Sequence, residues 1–161
     1  MSRLSDGCPL LATCCAVLLA MPAQGQAPLV VSPVQNLAFG SLIPGVRTVV
    51  DPLLLARSGQ IRVQASIGAV FRISYTLPTV MTRTGGGASF PLVFGAASAG
   101  AAASSTPTAL VRFNPAVPTN FQFVTTDRAT FFLGGEARPN AGQLTGAYTA
   151  PIIVTITNLG V

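Results

Sequence analysis

Beyond residue 25 the chain has three carboxylates able to move a proton: Asp51, Asp127 and Glu136. A pair of such acids flanking a sugar linkage can hydrolyse it, and little other catalysis remains open. Residues 26–161 contain no His, Cys, Lys or Trp. There is therefore no Ser–His or Cys–His nucleophile pair and no lysine for a Schiff base or a Ser–Lys dyad. Conventional zinc, copper and haem sites lack their ligands. Neither a G-x-x-x-x-G-K-[ST] phosphate loop nor a G-x-G-x-x-G run occurs. Gly85-Gly86-Gly87 falls between a Thr/Arg segment and a strand pattern, where a flexible turn is expected. Asp51 precedes Pro52 and Asp127 precedes Arg128 in turn-like settings, so turn and surface roles are expected of both. No catalysis, cofactor or metal is expected.

The remaining charges are eight arginines, at 47, 57, 62, 72, 83, 112, 128 and 138, which against three acids leave +5. Arg47, Arg62, Arg72 and Arg112 alternate with apolar residues and are expected to share outward-facing sheet surfaces. A basic face could hold anionic polysaccharide, lipopolysaccharide or nucleic acid. The aromatic-rich basic platform that single-stranded nucleic acid needs is not evident, so no nucleic-acid partner is expected.

These residues need elements to position them. Residues 10–21, LLATCCAVLLAM, form an apolar run after Arg3. The run is too short for a bilayer span of about 20 residues, but fits the about 7–15 residues of a signal-peptide core. Pro22 ends it, and Ala23-Gln24-Gly25 supplies small residues for cleavage after Gly25. A signal peptide over 1–25 and one domain over 26–161 are expected. Cys8, Cys14 and Cys15 would leave with the signal, so the remaining domain would form no disulfide. No segment after residue 25 reaches the 18 apolar residues of a membrane helix.

After the signal, short alternating segments are punctuated by Gly, Pro, Asn and Asp, the pattern of antiparallel strands with one buried face. Strands are expected over 29–39, 46–50, 61–65, 71–76, 90–94, 110–113, 121–125, 131–133 and 152–157. In the last, Ile152, Val154 and Ile156 share one face, and Ile153, Thr155 and Thr157 the other. Residues 95–107, GAASAGAAASSTP, are expected to form a mobile loop. No 3.6-residue period competes, so the fold class is all-β, a sandwich or partly open barrel.

Two runs carry a family resemblance. Near the start stands Asn36-Leu37-Ala38-Phe39-Gly40, followed by Pro44-Gly45. Near the end stand Phe132-Leu133-Gly134-Gly135-Glu136, Gly146-Ala147-Tyr148 and Pro151-Ile152-Ile153-Val154-Thr155-Ile156. The chain resembles bacterial exported domains related to spore coat protein U and to chaperone–usher pilins, in which an early L-x-F-G strand and a late G-x-Y strand bracket the domain. It departs from the pattern in lacking a closing aromatic, with Asn158-Leu159-Gly160-Val161 instead, and in lacking the cysteines of many pilins. The resemblance implies an antiparallel, immunoglobulin-like or pilin-like β-sandwich. It also implies export to the periplasm, surface or surroundings of a Gram-negative cell, and a structural or adhesive role.

In a pilin the sandwich lacks a strand, which a neighbour's extension supplies by β-augmentation. The implied partners are further copies or other surface subunits, with a periplasmic chaperone. The acceptor edge would be Ile152, Val154 and Ile156. The donor would be residues 26–34, with Leu29 and Val31 as inserted side chains, although the same residues could complete their own sheet. Leu37, Phe39, Gly40, Gly45, Gly134, Gly135, Gly146 and Tyr148 are expected to serve the fold. Gly40 and Gly45 suit a tight corner; Tyr148 would bury its ring while its hydroxyl finds a backbone partner. The alternative is a monomeric secreted module whose arginine face binds anionic surface polysaccharide.

Overall fold

A computed structural model describes residues 28–160. The expected signal peptide, its cysteines, and Gln26 and Ala27 of the expected donor lie outside the described residues. The first strands are β1 (Val30–Gln35), β2 (Thr48–Val50), β3 (Gly59–Gln64), β4 (Val70–Thr76), β5 (Val80–Arg83), β6 (Ser89–Val93) and β7 (Ala99–Ala102). There follow β8 (Val111–Phe113), β9 (Thr119–Gln122), β10 (Arg128–Leu133), β11 (Gly135–Ala137), β12 (Tyr148–Thr149) and β13 (Ile153–Gly160). All pairings are antiparallel, and the all-β sandwich expected from the pattern is the fold. Among the described residues no helix is long and apolar enough to cross a membrane.

One sheet has the order β1-β3-β10-β7-β8; opposite it lies β13-β4-β9. Alternation does the work expected of it here: Phe71 and Ile73 of β4 are fully buried while Arg72 between them is exposed. They meet Val63, Ala101 and Phe131 of the facing sheet in the main core. Phe71, Phe121 and Phe131 contact one another there, with ring centroids 4.9–6.0 Å apart. A third sheet, β12-β5-β6-β11-β2, covers a second core of Phe39, Val50, Phe90, Leu92 and Ala137.

The sheets are joined by strands that run on from one to another. β10 continues into β11 across Gly134, whose N–H bonds Ser98 O at 2.8 Å. A β-carbon on Gly134 would collide with the Val50 carbonyl oxygen and lie 2.8 Å from Pro52 Cδ. Likewise β4 and β5 run antiparallel to β13 and β12 as one long ribbon, from Ile153↔Thr76 to Tyr148↔Arg83.

Three expectations are corrected. The strand expected over 29–39 ends at Gln35. Pro33 has no N–H to give, the register with β3 shifts between Pro33 and Gln35, and Leu37 then crosses over Gly59. The stretch 95–107 is not all loop, because it contains β7. Ala99 and Ala101 are buried, with Ala101 and Gly100 paired to Phe131 and Phe132. Only small residues fit there: a β-carbon on Gly100 would lie 2.7 Å from Leu110 Cδ1. An all-small strand has no visible alternation, which hides it from pattern reading. β5 was also hidden, in the Thr/Arg segment. It forms by pairing with β6 across a turn where Gly85, Gly86 and Gly87 all take positive φ.

Candidate strand-binding groove

The sandwich is open along one seam. β1 and β13 each end their sheets, so each has one edge with no paired strand among the described residues. Cross-strand partners point to the same face, which makes the pairings diagnostic. Val31 sits opposite Val63, which is fully buried, and therefore faces the interior; yet Val31 is 45% exposed. On β13, Val154 pairs with Tyr75 and Ile156 with Ile73, so both face inward, and both are only half-buried. An inward-facing valine left half in solvent marks a place where the sandwich has no covering strand.

Between these edges runs a groove of about 500 Å³. Ile61, Phe131 and Leu133 line it from one sheet, Tyr75 from the opposing sheet and Met81 from β5 of the third, with Pro33 and Leu37 on the β1 side and Ile152 and Val154 on the β13 side. A further hollow of about 610 Å³ shares Leu37, Met81 and Tyr148 with it and continues past Phe39 and Gly40. The β13 edge is eight residues long and carries no charge. At about 3.4 Å per residue it presents roughly 27 Å of edge. Exposed edges are ordinarily blunted by charge or proline; β13 has neither, although its register against β4 shifts between Asn158 and Gly160.

Val154 and Ile156 share the inward face of β13, where both pack on the main core, and Ile152, just before the strand, lines the groove with Val154. Leu29 and Val31 lie elsewhere: Leu29 packs against the chain's own core and Val31 is paired with its own β3. To act as a donor, this segment must first leave its own sheet. Leu37 and Phe39 reach the second core. Gly40 and Gly45 take φ of 73° and 77°, a region that costs other residues strain. Gly135 leaves room for Phe94, and Gly146, at φ 143°, leaves room for the Arg83 side chain.

Tyr148 packs its ring at a tilt against Phe90, centroids 4.9 Å apart, with its hydroxyl donating to Leu144 O and accepting from Gln143 Nε2, both at 2.6 Å. Loss of that hydroxyl in Tyr148→Phe is expected to lower stability by about 1–2 kcal/mol, measured as a fall in the urea midpoint. Sequence reading did not single out Tyr75, Met81, Phe131 or Leu133 as groove residues. Alternation puts Tyr75 and Phe131 on inner faces, but only strand order shows which inner positions border an open seam.

The carboxylates are dispersed and each is held by arginine. Asp51 takes both oxygens to Arg112 Nη2, at 2.8 and 3.0 Å. Asp127 pairs with Arg128 at 2.9 Å, and Glu136 with Arg138 at 2.8 Å and more distantly with Arg47 at 3.9 Å. The hydrogen bond from the partner arginine pulls each carboxyl below its ordinary range, so all three stay ionised at neutral pH and none is poised as a general acid. Because these folded pKa values are depressed, the pairs contribute stability above the unfolded carboxylate range. That contribution is lost as pH falls through the folded values. With no histidine in the chain, the urea midpoint is expected to stay nearly level from about pH 5 to 8 and to fall below about pH 4.

Arg62 and Arg112 share one face of the first sheet by register, through Thr130, Ala102 and Gly100, but the four arginines do not gather on a single face. Arg62 lies on β3, between inward Ile61 and Val63; Arg72 lies on β4 in the opposing layer, bonded to Asn120 Oδ1 at 2.9 Å. Arg112 and Arg47 are drawn to Asp51 and Glu136. The outer faces of a sandwich point in opposite directions, so alternation alone cannot collect residues from both layers.

No protein-family model matches the chain, and no curated protein matches it. Among solved structures it is similar to a chain from a chaperone–tip adhesin complex described as vital for activation of CFA/I fimbriae biogenesis. The TM-score is 0.45 and the identity 7%, over 81% of this chain and 41% of that one. The protein thus spans less than half the length of that chain.

Proposed function

We propose that this is an exported, non-catalytic cell-surface subunit of fimbria-like type, assembled when a neighbour's extended segment enters the groove between β1 and β13. The observation that carries this reading is the groove itself, where Ile61, Phe131 and Leu133 of one sheet stand open to Tyr75, Ile152 and Val154 on the β13 side. The uncharged β13 edge supplies main-chain hydrogen-bonding groups, and the inward positions beside Ile152, Val154 and Ile156 would receive alternate side chains. The neighbour is another copy or another surface subunit, and a periplasmic chaperone would cover the edge before assembly. Leu29 and Val31 are donor side chains on this reading if β1 exchanges between copies.

The test is a blot of sheared surface material from cells that make the protein, with unheated and boiled samples side by side. A ladder of heat-labile multimers is expected, and it should shorten to dimers or vanish when residues 26–34 are deleted if β1 is the donor. A monomer band alone, found in the soluble periplasmic or culture fraction, would overturn assembly through the groove.

A further inference from the structure

The groove holds two tyrosines whose hydroxyls are in different situations. That of Tyr148 is committed at both ends, to Leu144 O and Gln143 Nε2. Tyr75 faces inward from β4, half-buried, with its ring 6.3 Å from Phe113, and lines the groove beside Ile61, Phe131, Leu133 and Val154, while the Gln35 and Gln60 carboxamides that also line it are bonded to backbone carbonyls. Burial alone acts on its phenol and pushes the pKa up, with no hydrogen bond contributing. Among the described residues no sealed polar side-chain atom lacks a partner, so this hydroxyl keeps contact with open space, and the space that Tyr75 lines is the groove. A buried tyrosine hydroxyl ordinarily finds a partner, and filling the groove with purely apolar side chains would strand this one.

We infer that Tyr75 selects the groove's occupant: the inserted segment is uncharged and apolar at its inward positions except one, in the row of Val154, which carries a hydroxyl or carboxamide side chain to bond the Tyr75 hydroxyl. This rests on the strand-binding reading and adds a chemical identity for the partner. The row is set by pairing, because Val154 lies directly opposite Tyr75 and a strand added to the free edge of β13 would place its own inward residue beside Val154. Charge is disfavoured at every inward position, since no Asp, Glu or Arg lines the groove to offset its desolvation.

The experiment uses the chain from residue 26 onward and a set of synthetic nine-residue peptides with valine at inward positions and threonine at outward ones. One inward valine at a time is replaced by serine or asparagine, and binding is followed by fluorescence anisotropy. One position is expected to gain about tenfold in affinity from the polar residue, the others to lose by a similar factor. Tyr75→Phe should abolish the gain while leaving the free chain at least as resistant to urea, because it deletes a hydroxyl that has no partner there. A merely structural tyrosine gives the opposite pattern, with lower urea resistance and peptide preferences unchanged, and that result overturns the inference. Binding with no polar preference at any position overturns it too, while leaving the groove as a strand acceptor. Failure of every peptide to bind overturns both this inference and the strand-binding reading.

Discussion

Gly134→Ala is expected to leave no folded protein at 25 °C. The chain changes sheets at Gly134, and the added carbon would overlap the Val50 carbonyl oxygen with Pro52 N and Cδ at 2.9 and 2.8 Å. An overpacked core side chain can turn away, which keeps the usual cost to about 1–3 kcal/mol. Here the obstacle is backbone and a proline ring, and a methyl group has no rotamer to change. Relief would require moving β2 away from β11, which it pairs through Gly135↔Val50. The cost then approaches the roughly 5–15 kcal/mol by which domains are stable at all. Circular dichroism and soluble yield measure it, with Gly142→Ala as control, since a β-carbon there meets nothing within 4 Å. A soluble Gly134→Ala chain with the parent's urea midpoint would mean that the strand crossing is looser than described.

The second large effect separates assembly from folding. Ile152→Asp is expected to keep the chain folded and to weaken strand capture at least about a hundredfold. Ile152 lines the groove and is half-buried, but it is not among the residues packed on either core. In the free subunit the new carboxylate would stay hydrated, because the groove is open. Once a strand fills the groove the charge must lose that water with no cation beside it, at a cost of several kcal/mol. Val154→Asp should act likewise with some loss of stability, since Val154 also touches the main core. The readout is the heat-labile ladder set against the urea midpoint of the monomer. An undiminished ladder from both variants would place the assembly contact elsewhere; loss of folding in Ile152→Asp would show that the residue belongs to the core.

Much of the fold was legible because alternation is a local signal. Phe71-Arg72-Ile73 and Ile152 to Thr157 declare their inner faces within a few residues, and Gly40, Gly45 and Tyr148 declare turns and corners by side-chain type. β7 was not legible, since alanine and glycine look alike on both faces and their burial is imposed by Phe131, Phe132 and Leu110. The arginines illustrate the same limit from the outside: alternation placed Arg62 and Arg72 outward, but could not say that they face away from each other.

The inventory of residues by itself determined that no histidine, lysine or thiol chemistry is available after residue 25, and that the last strand is apolar on one face and uncharged along its length. Tertiary structure alone decided that β1 and β13 border the same open seam, and that Tyr75 lines the groove between them. Which edges stay unpaired depends on strand order, a property of pairings between residues as far apart in sequence as Val70 and Gly160, and no local periodicity encodes it.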